Sequence, residues 1–203
     1  MKILHIIPNL KKGGAERLVI DIVRELAKRE NTNVKLVIFH NAIEYDISDI
    51  KQLVYHIPAS IKLSVWKKNI IEVNTLQLFI NDFQPDVIHS HLFEAEIVSR
   101  SCYYPKAKWF SHCHGNMPVF SKNGNWLSLN HYLRMTERAY MISRYNINGG
   151  NVFIAISQYT NNYFTENLPG FKVILLHNAI NYKRFYFKRD LPKIEKRLLL
   201  LSI

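Results

Sequence analysis

Lys2-Ile3-Leu4-His5-Ile6-Ile7-Pro8 is followed, two residues on, by Lys11-Lys12-Gly13-Gly14-Ala15-Glu16-Arg17, and this junction decides the fold. Ile3, Leu4, Ile6 and Ile7 run almost without interruption, as in a parallel strand covered on both faces. Beyond the glycines, Ala15, Leu18, Val19, Ile22, Val23 and Leu26 recur at i, i+3, i+4 spacing and form one apolar helical stripe. Gly13 and Gly14 stand at the helix N-terminus, where backbone N–H groups and the dipole favour an anion that missing side chains allow close. A loop that only turns needs one glycine. Two make a candidate phosphate contact.

Outward from that junction, strand-like and helix-like segments alternate. Strands are predicted at 34–39 and 53–57, then a helix at 66–83 closed by Gln84 and Pro85, and a strand at 86–90. A helix at 92–102, a strand at 108–113 and a helix from Trp126 to about Tyr145 come next, with Gly149 and Gly150 breaking the last. Strands at 152–156 and 172–176 complete the series, with Ser157 a candidate N-cap between them. Repeated β–α alternation predicts an α/β fold, a Rossmann-like, mainly parallel sheet with helices on both faces. About seven strands are expected, with residues 3–7 and 87–89 near the middle. Ligands gather at the carboxyl ends of such strands, so the loops holding Gly13, His91, His114, Ser157 and Asn178 are expected to share one rim.

The resemblance that this order carries is specific. Gly13-Gly14-Ala15-Glu16-Arg17, Pro85-Asp86-Val87-Ile88-His89, Ile154-Ala155-Ile156-Ser157 and His177-Asn178-Ala179-Ile180-Asn181 occur in the order found in the group 1 (family 4) retaining glycosyltransferases, which the chain resembles. One departure is visible: the family often has Asn-Gly-Ile-Asp where this chain has Asn178-Ala179-Ile180-Asn181, so no carboxylate stands at that corner. The resemblance implies the two-domain GT-B architecture and a sugar moved from a nucleotide-diphosphate donor onto a glycan or lipid-linked acceptor with anomeric retention, in cell-surface polysaccharide synthesis. It implies no metal ion and no cofactor, because a second domain offsets the diphosphate charge. The family's Glu-x7-Glu pattern is missing, and Leu198-Leu199-Leu200-Leu201 resembles the first strand of that second domain. Residues 1–181 are accordingly expected to be the N-terminal, acceptor-side domain, and 182–203 a basic linker and the first strand of a donor-binding domain. Such a half is expected to be inactive by itself.

Composition bounds the remaining classes. A chain of 203 residues, 48% hydrophobic with 11 Tyr and 11 Phe, suits a packed globule rather than disorder. No apolar run approaches the ~18 residues of a membrane span, and no signal-peptide pattern precedes the first strand, so a cytoplasmic address is expected. Cys102 and Cys113 are the only cysteines and lack Cys-x-x-Cys spacing, which suits a reducing compartment. Cys113, between His112 and His114, is either a catalytic thiol or a small buried apolar residue.

Net charge is +11, and residues 182–197 alone hold seven basic against two acidic side chains. Nucleic acid is not expected, since no recognition helix, zinc spacing or aromatic RNA-binding motif accompanies the charge. Attraction to an anionic inner membrane surface or to anionic substrates, and a simply solvated linker, both remain. A loop carrying Met117, Pro118, Val119, Phe120 and Trp126 reads equally as an acceptor or membrane contact and as a lid packed on its own domain.

Histidines concentrate at two strand ends. His89 and His91, and His112 and His114, are i, i+2 pairs whose rings share a side of a strand and could serve one metal. No carboxylate accompanies them at a fixed spacing, so no metal is expected; packing of His89 and His112 with rings satisfied by backbone groups is the other account. His114 precedes Gly115 and Asn116, at the position where the family resemblance implies a cleft histidine that contacts donor sugar and leaving phosphate. It is the candidate catalytic residue, acting as a hydrogen-bond donor where charge develops. Gly13, Gly14 and Arg17 are the donor-phosphate candidates, and Lys11, Lys12, His91, Asn116, Ser157 and Asn178 the acceptor-side ones. The alternative from another class is a non-enzymatic basic α/β module that binds phosphate-bearing ligands or nucleic acid.

Overall fold

The computed structural model of the chain describes residues 1–121 and 129–179. From the N-terminus, β1 (Lys2–Ile7) leads through α1 (Gly14–Ala27) to β2 (Asn33–Ile38) and β3 (Val54–His56). A short antiparallel ribbon, β4 (Ser60–Lys62) with β5 (Ile70–Glu72), precedes α2 (Asn74–Phe83). The rest alternates: β6 (Val87–His91), α3 (Phe93–Arg100), β7 (Lys108–Cys113), α4 (Leu129–Ile147), β8 (Val152–Ala155), α5 (Gln158–Asn167) and β9 (Lys172–Leu175).

Seven strands pair in the order β3-β2-β1-β6-β7-β8-β9, every neighbouring pair parallel. β1 and β6 lie side by side at the centre, as expected, with Ile3 opposite Val87 and His5 opposite His89. The connections run outward in opposite directions from this pair, which makes it the switch point of the sheet. The Rossmann-like α/β class is thus confirmed.

Alternation along the strands divides two cores. Leu4, Ile6 and Ile88 pack with Leu76, Ile80, Val98, Met141 and Phe153 from the elements that follow β3. Ile3 and Ile7 point the other way, into the cluster that Val19, Ile20 and Val23 of α1 complete. His5, between Ile3 and Ile7, therefore lies on the α1 face. So do His89 and His91, which alternate with Ile88.

The helix expected at 66–83 begins only at Asn74. The Ser64 hydroxyl accepts the amides of Trp66 and Lys67 at 3.3 and 2.9 Å, closing a turn, and β-branched Ile70 and Ile71 then pair with β4. Local turn chemistry overrides the helical spacing there. Of the loop after β7, Met117, Val119 and Phe120 are buried, which fits the lid reading for its described part. Trp126, the basic run 182–197 and the apolar run 198–201 lie outside the described residues.

A polar network is locked beneath β6 and β7. Glu96 and Arg100, both essentially inaccessible, pair at 3.4 Å; Ser90 and Ser111 donate to the Glu96 carboxylate, and Arg100 donates to Asn151 while stacking over Trp109 and Tyr145. Removing one partner of a buried pair strands the other's charge. Glu96→Ala is expected to cost about 3–5 kcal/mol in a denaturant titration. A loss under about 1 kcal/mol would contradict this account.

Candidate functional site

Two constructions lie toward the carboxyl edge of the sheet. The first is the glycine loop. Arg17 N donates to Gly13 O at 3.1 Å, the first bond of the α1 ladder, while Gly13 holds extended backbone. The Tyr45 hydroxyl clasps the loop, accepting from Gly13 N at 3.1 Å and donating to Gly13 O at 2.9 Å. Glu16 sits so close that its carboxylate would collide with a Cβ on Gly13, whereas nothing stands within 4 Å of the corresponding point on Gly14. A side chain at position 13 would thus have to push the Glu16 carboxylate aside. Gly14 is the open approach, with first-turn N–H groups that no helical carbonyl can satisfy.

Lys11 and Lys12 are exposed, and the Lys12 amide donates to Glu44 at 3.2 Å. Arg17 does not project freely. It pairs with Asp21 at 3.2 Å and lies over the Tyr45 ring. Asp21 also meets Arg24 at 3.6 Å, and Glu25 meets Lys28, so Asp21 and Glu25 belong to ion pairs. Beside Tyr45, at the ends of β2 and β3, opens a cleft of about 480 Å³ lined by Ile38, Asn41, Ile47 and His56 among others.

The second construction is a stack of five imidazoles. His89, His91, His112 and His114 come from two adjacent strand ends, and His5, unmarked by the sequence reading, adds a fifth from β1. The only sequence signal for it was a histidine in a strand otherwise continuous in Ile and Leu. Ring centroids lie 4.3 Å apart for His89–His91 and 4.5 Å for His112–His114. His5 Nδ1 is 3.1 Å from His91 Nε2, and His91 Nδ1 is 3.4 Å from His114 Nε2. His112 Nε2 donates to Asn178 Oδ1 at 3.1 Å.

The rings are not satisfied by backbone groups as expected for His89 and His112. His112 uses a side chain, and His89 Nε2, His5 Nε2 and His112 Nδ1 are buried without a hydrogen-bond partner. Burial has a second effect, because it penalises the charged form. Desolvation, with the His112 charge adding to it, lowers His5 to about 3 and His114 to about 4. His89 and His91 are held well below the ordinary value by desolvation and then by neighbouring rings; desolvation also lowers His112, against the Asn178 hydrogen bond. The stack is neutral at physiological pH.

The remaining candidates separate. Asn178 is joined to the stack through His112. Ser157 is the N-cap of α5, its hydroxyl accepting from Thr160 N at 3.2 Å. Asn116 Oδ1 is buried and unpartnered beside His114 in sequence. Cys113 is fully buried, its thiol pushed well above the ordinary value by desolvation, so it supplies no thiolate.

Leu92, expected to open the helix at 92–102, instead joins His91 to α3 with φ 69° and ψ 155°. A leucine there costs about 1–3 kcal/mol. Its side chain packs on the α1-side core, which holds the sharp turn after His91.

The sequence model described as Glycosyltransferase Family 4 matches residues 12–184. No curated protein matches. Among solved structures, a glycosyltransferase from Rickettsia africae ESF-5 is similar at 16% identity and TM-score 0.58, over 98% of this chain and 48% of that one. The apo lipopolysaccharide outer core galactosyltransferase WaaB is similar at 18% identity and TM-score 0.55, over 95% and 50%. A UDP co-structure of S. aureus MnaA is similar at 12% identity and TM-score 0.52, over 97% and 50%. At such identities these likenesses establish the fold, and the chain spans about half the length of each.

Proposed function

The chain belongs to Glycosyltransferase Family 4, and from that membership we propose that it is the N-terminal, acceptor-side domain of a retaining glycosyltransferase. The observation that carries the reading is the family match along 12–184, with the glycine loop and His114 both at the carboxyl edge of the parallel sheet. The donor is a nucleotide-diphosphate sugar, a reading supported by the UDP bound in the MnaA structure. The acceptor is a glycan or lipid-linked sugar of cell-surface polysaccharide synthesis.

In the reaction the bond from the anomeric carbon to the diphosphate breaks, and the acceptor hydroxyl forms the new glycosidic bond on the same face, its proton passing to the departing diphosphate oxygen. Gly14 and the first turn of α1 face the diphosphate. His114, neutral at working pH, donates its ring N–H to oxygen as negative charge grows. A second domain supplies most of the nucleotide pocket, so this domain by itself binds donor weakly and transfers nothing. The address is cytoplasmic, with the basic segment 182–197 meeting an anionic membrane face. No helix among the described residues is long and apolar enough to cross a membrane.

The test is transfer by the full-length protein from UDP- and GDP-sugars to lipid-linked and glycan acceptors, with the product anomer read by NMR. Retention of configuration is expected. An inverted product, or turnover by residues 1–203 alone, would overturn the assignment. Salt-sensitive binding to arbitrary DNA in place of transfer would point to the non-enzymatic alternative.

A further inference from the structure

We propose that His91, His112 and His114 form a three-histidine site for a divalent transition-metal ion of the zinc type. One ring nitrogen from each of the three lies within 4.8 Å of the others. His91 Nδ1 and His114 Nε2 are 3.4 Å apart, which matches the separation of about 3.4 Å between nitrogens placed 2.0–2.1 Å from zinc in a tetrahedron. One ligand atom is free outright. His112 donates through Nε2 to Asn178 Oδ1, which leaves the lone pair on Nδ1, and that atom is buried with no partner on a residue only 4% exposed. His91 Nε2 faces His5 Nδ1 at 3.1 Å and leaves Nδ1 to the site.

His5 and Asn178 therefore occupy the outer positions that normally orient ligating imidazoles, each on the nitrogen turned away from the ion. Three imidazoles with no carboxylate favour zinc, copper, nickel or cobalt over magnesium, calcium and manganese. His5, His89 and His91 form a second such cluster, but among the described residues none of its rings is bonded to a side chain outside the histidines, as His112 is to Asn178. His114, partly exposed at the rim, gives the first cluster an entrance. The family resemblance implied no metal in the reaction, and this site is not offered as part of it. Its consequence, resting on the role proposed above for His114, is inhibitory: a bound ion holds the imidazole away from the sugar.

The test uses the tag-free 203-residue chain freed of metal with EDTA. Titration with Co²⁺ is expected to give one equivalent with the intense visible absorption of a tetrahedral centre, displaced by Zn²⁺. His112→Ala and His114→Ala should abolish that spectrum. Asn178→Ala, at an exposed position that leaves the core intact, should weaken zinc binding about 10–100-fold. A pale octahedral spectrum, or a tetrahedral one unchanged in the His114→Ala and Asn178→Ala variants, would overturn the site. In the full-length enzyme, saturating Zn²⁺ should stop transfer and EDTA restore it. Tetrahedral binding without inhibition would leave the metal site standing and remove His114 from the reaction.

Discussion

His114→Ala in the full-length enzyme is expected to lower kcat about 10²–10³-fold, the scale seen when one preorganised donor is removed from a developing oxyanion. KM for the donor should change far less, since an interaction made mainly in the transition state is read in kcat. The geometry makes the control informative. His112 is the ring that Asn178 holds, at 4% exposure, whereas His114 stands at the rim. His112→Ala should therefore act chiefly on melting temperature. Equal, modest activity losses in both variants, following lowered stability, would assign His114 to the scaffold.

Acidification is expected to unfold the domain early. An unfolded histidine titrates near 6.5, while burial lowers His5 to about 3 and keeps His89 and His91 well below the ordinary value. Below pH 6.5 the unfolded chain thus binds protons that the native chain refuses, so stability rises with pH across this window and is lost as pH falls. A ring that stays neutral in the native state contributes up to about 1.4 kcal/mol per pH unit. His5 alone removes about 2 kcal/mol between pH 6.5 and 4.5, and His89 and His91 add losses in the same direction, against about 5–15 kcal/mol for the whole stability of an ordinary domain. Melting temperatures at pH 7.5, 6.0 and 5.0 should fall steeply, and a flat profile would refute the neutral stack. His114, lowered to about 4, should remain a neutral donor through this range, leaving no His114 inflection in kcat between pH 5.5 and 8.

Much of the fold was legible because its signals are local. The near-continuous apolar run of β1, the 3.6-residue stripe of α1 and the Ser157 cap each report their own conformation within a few residues. The ribbon at 60–72 was misread for the same reason in reverse. Ser64 decides that turn through two backbone amides, and helical spacing in the apolar residues beyond it masks the choice.

The sequence by itself determined the class of fold, the parallel order of its elements, the glycine-led helix start and the two His-x-His pairs, since each is written in neighbouring residues. Only the tertiary structure decided what those residues do together. Parallel pairing sets His5 opposite His89 and His91 opposite His112, so strands separated by more than 80 residues in β1 and β6 place their rings on one face. Burial among like rings then depresses their basicity, a property no single histidine carries. Tyr45 reaches back 32 residues to clasp Gly13, and the loop that looked open is closed at one glycine and free at the next. Periodicity records which face a side chain takes. Which side chains share that face across strands is fixed by register, and register exists only in the assembled sheet.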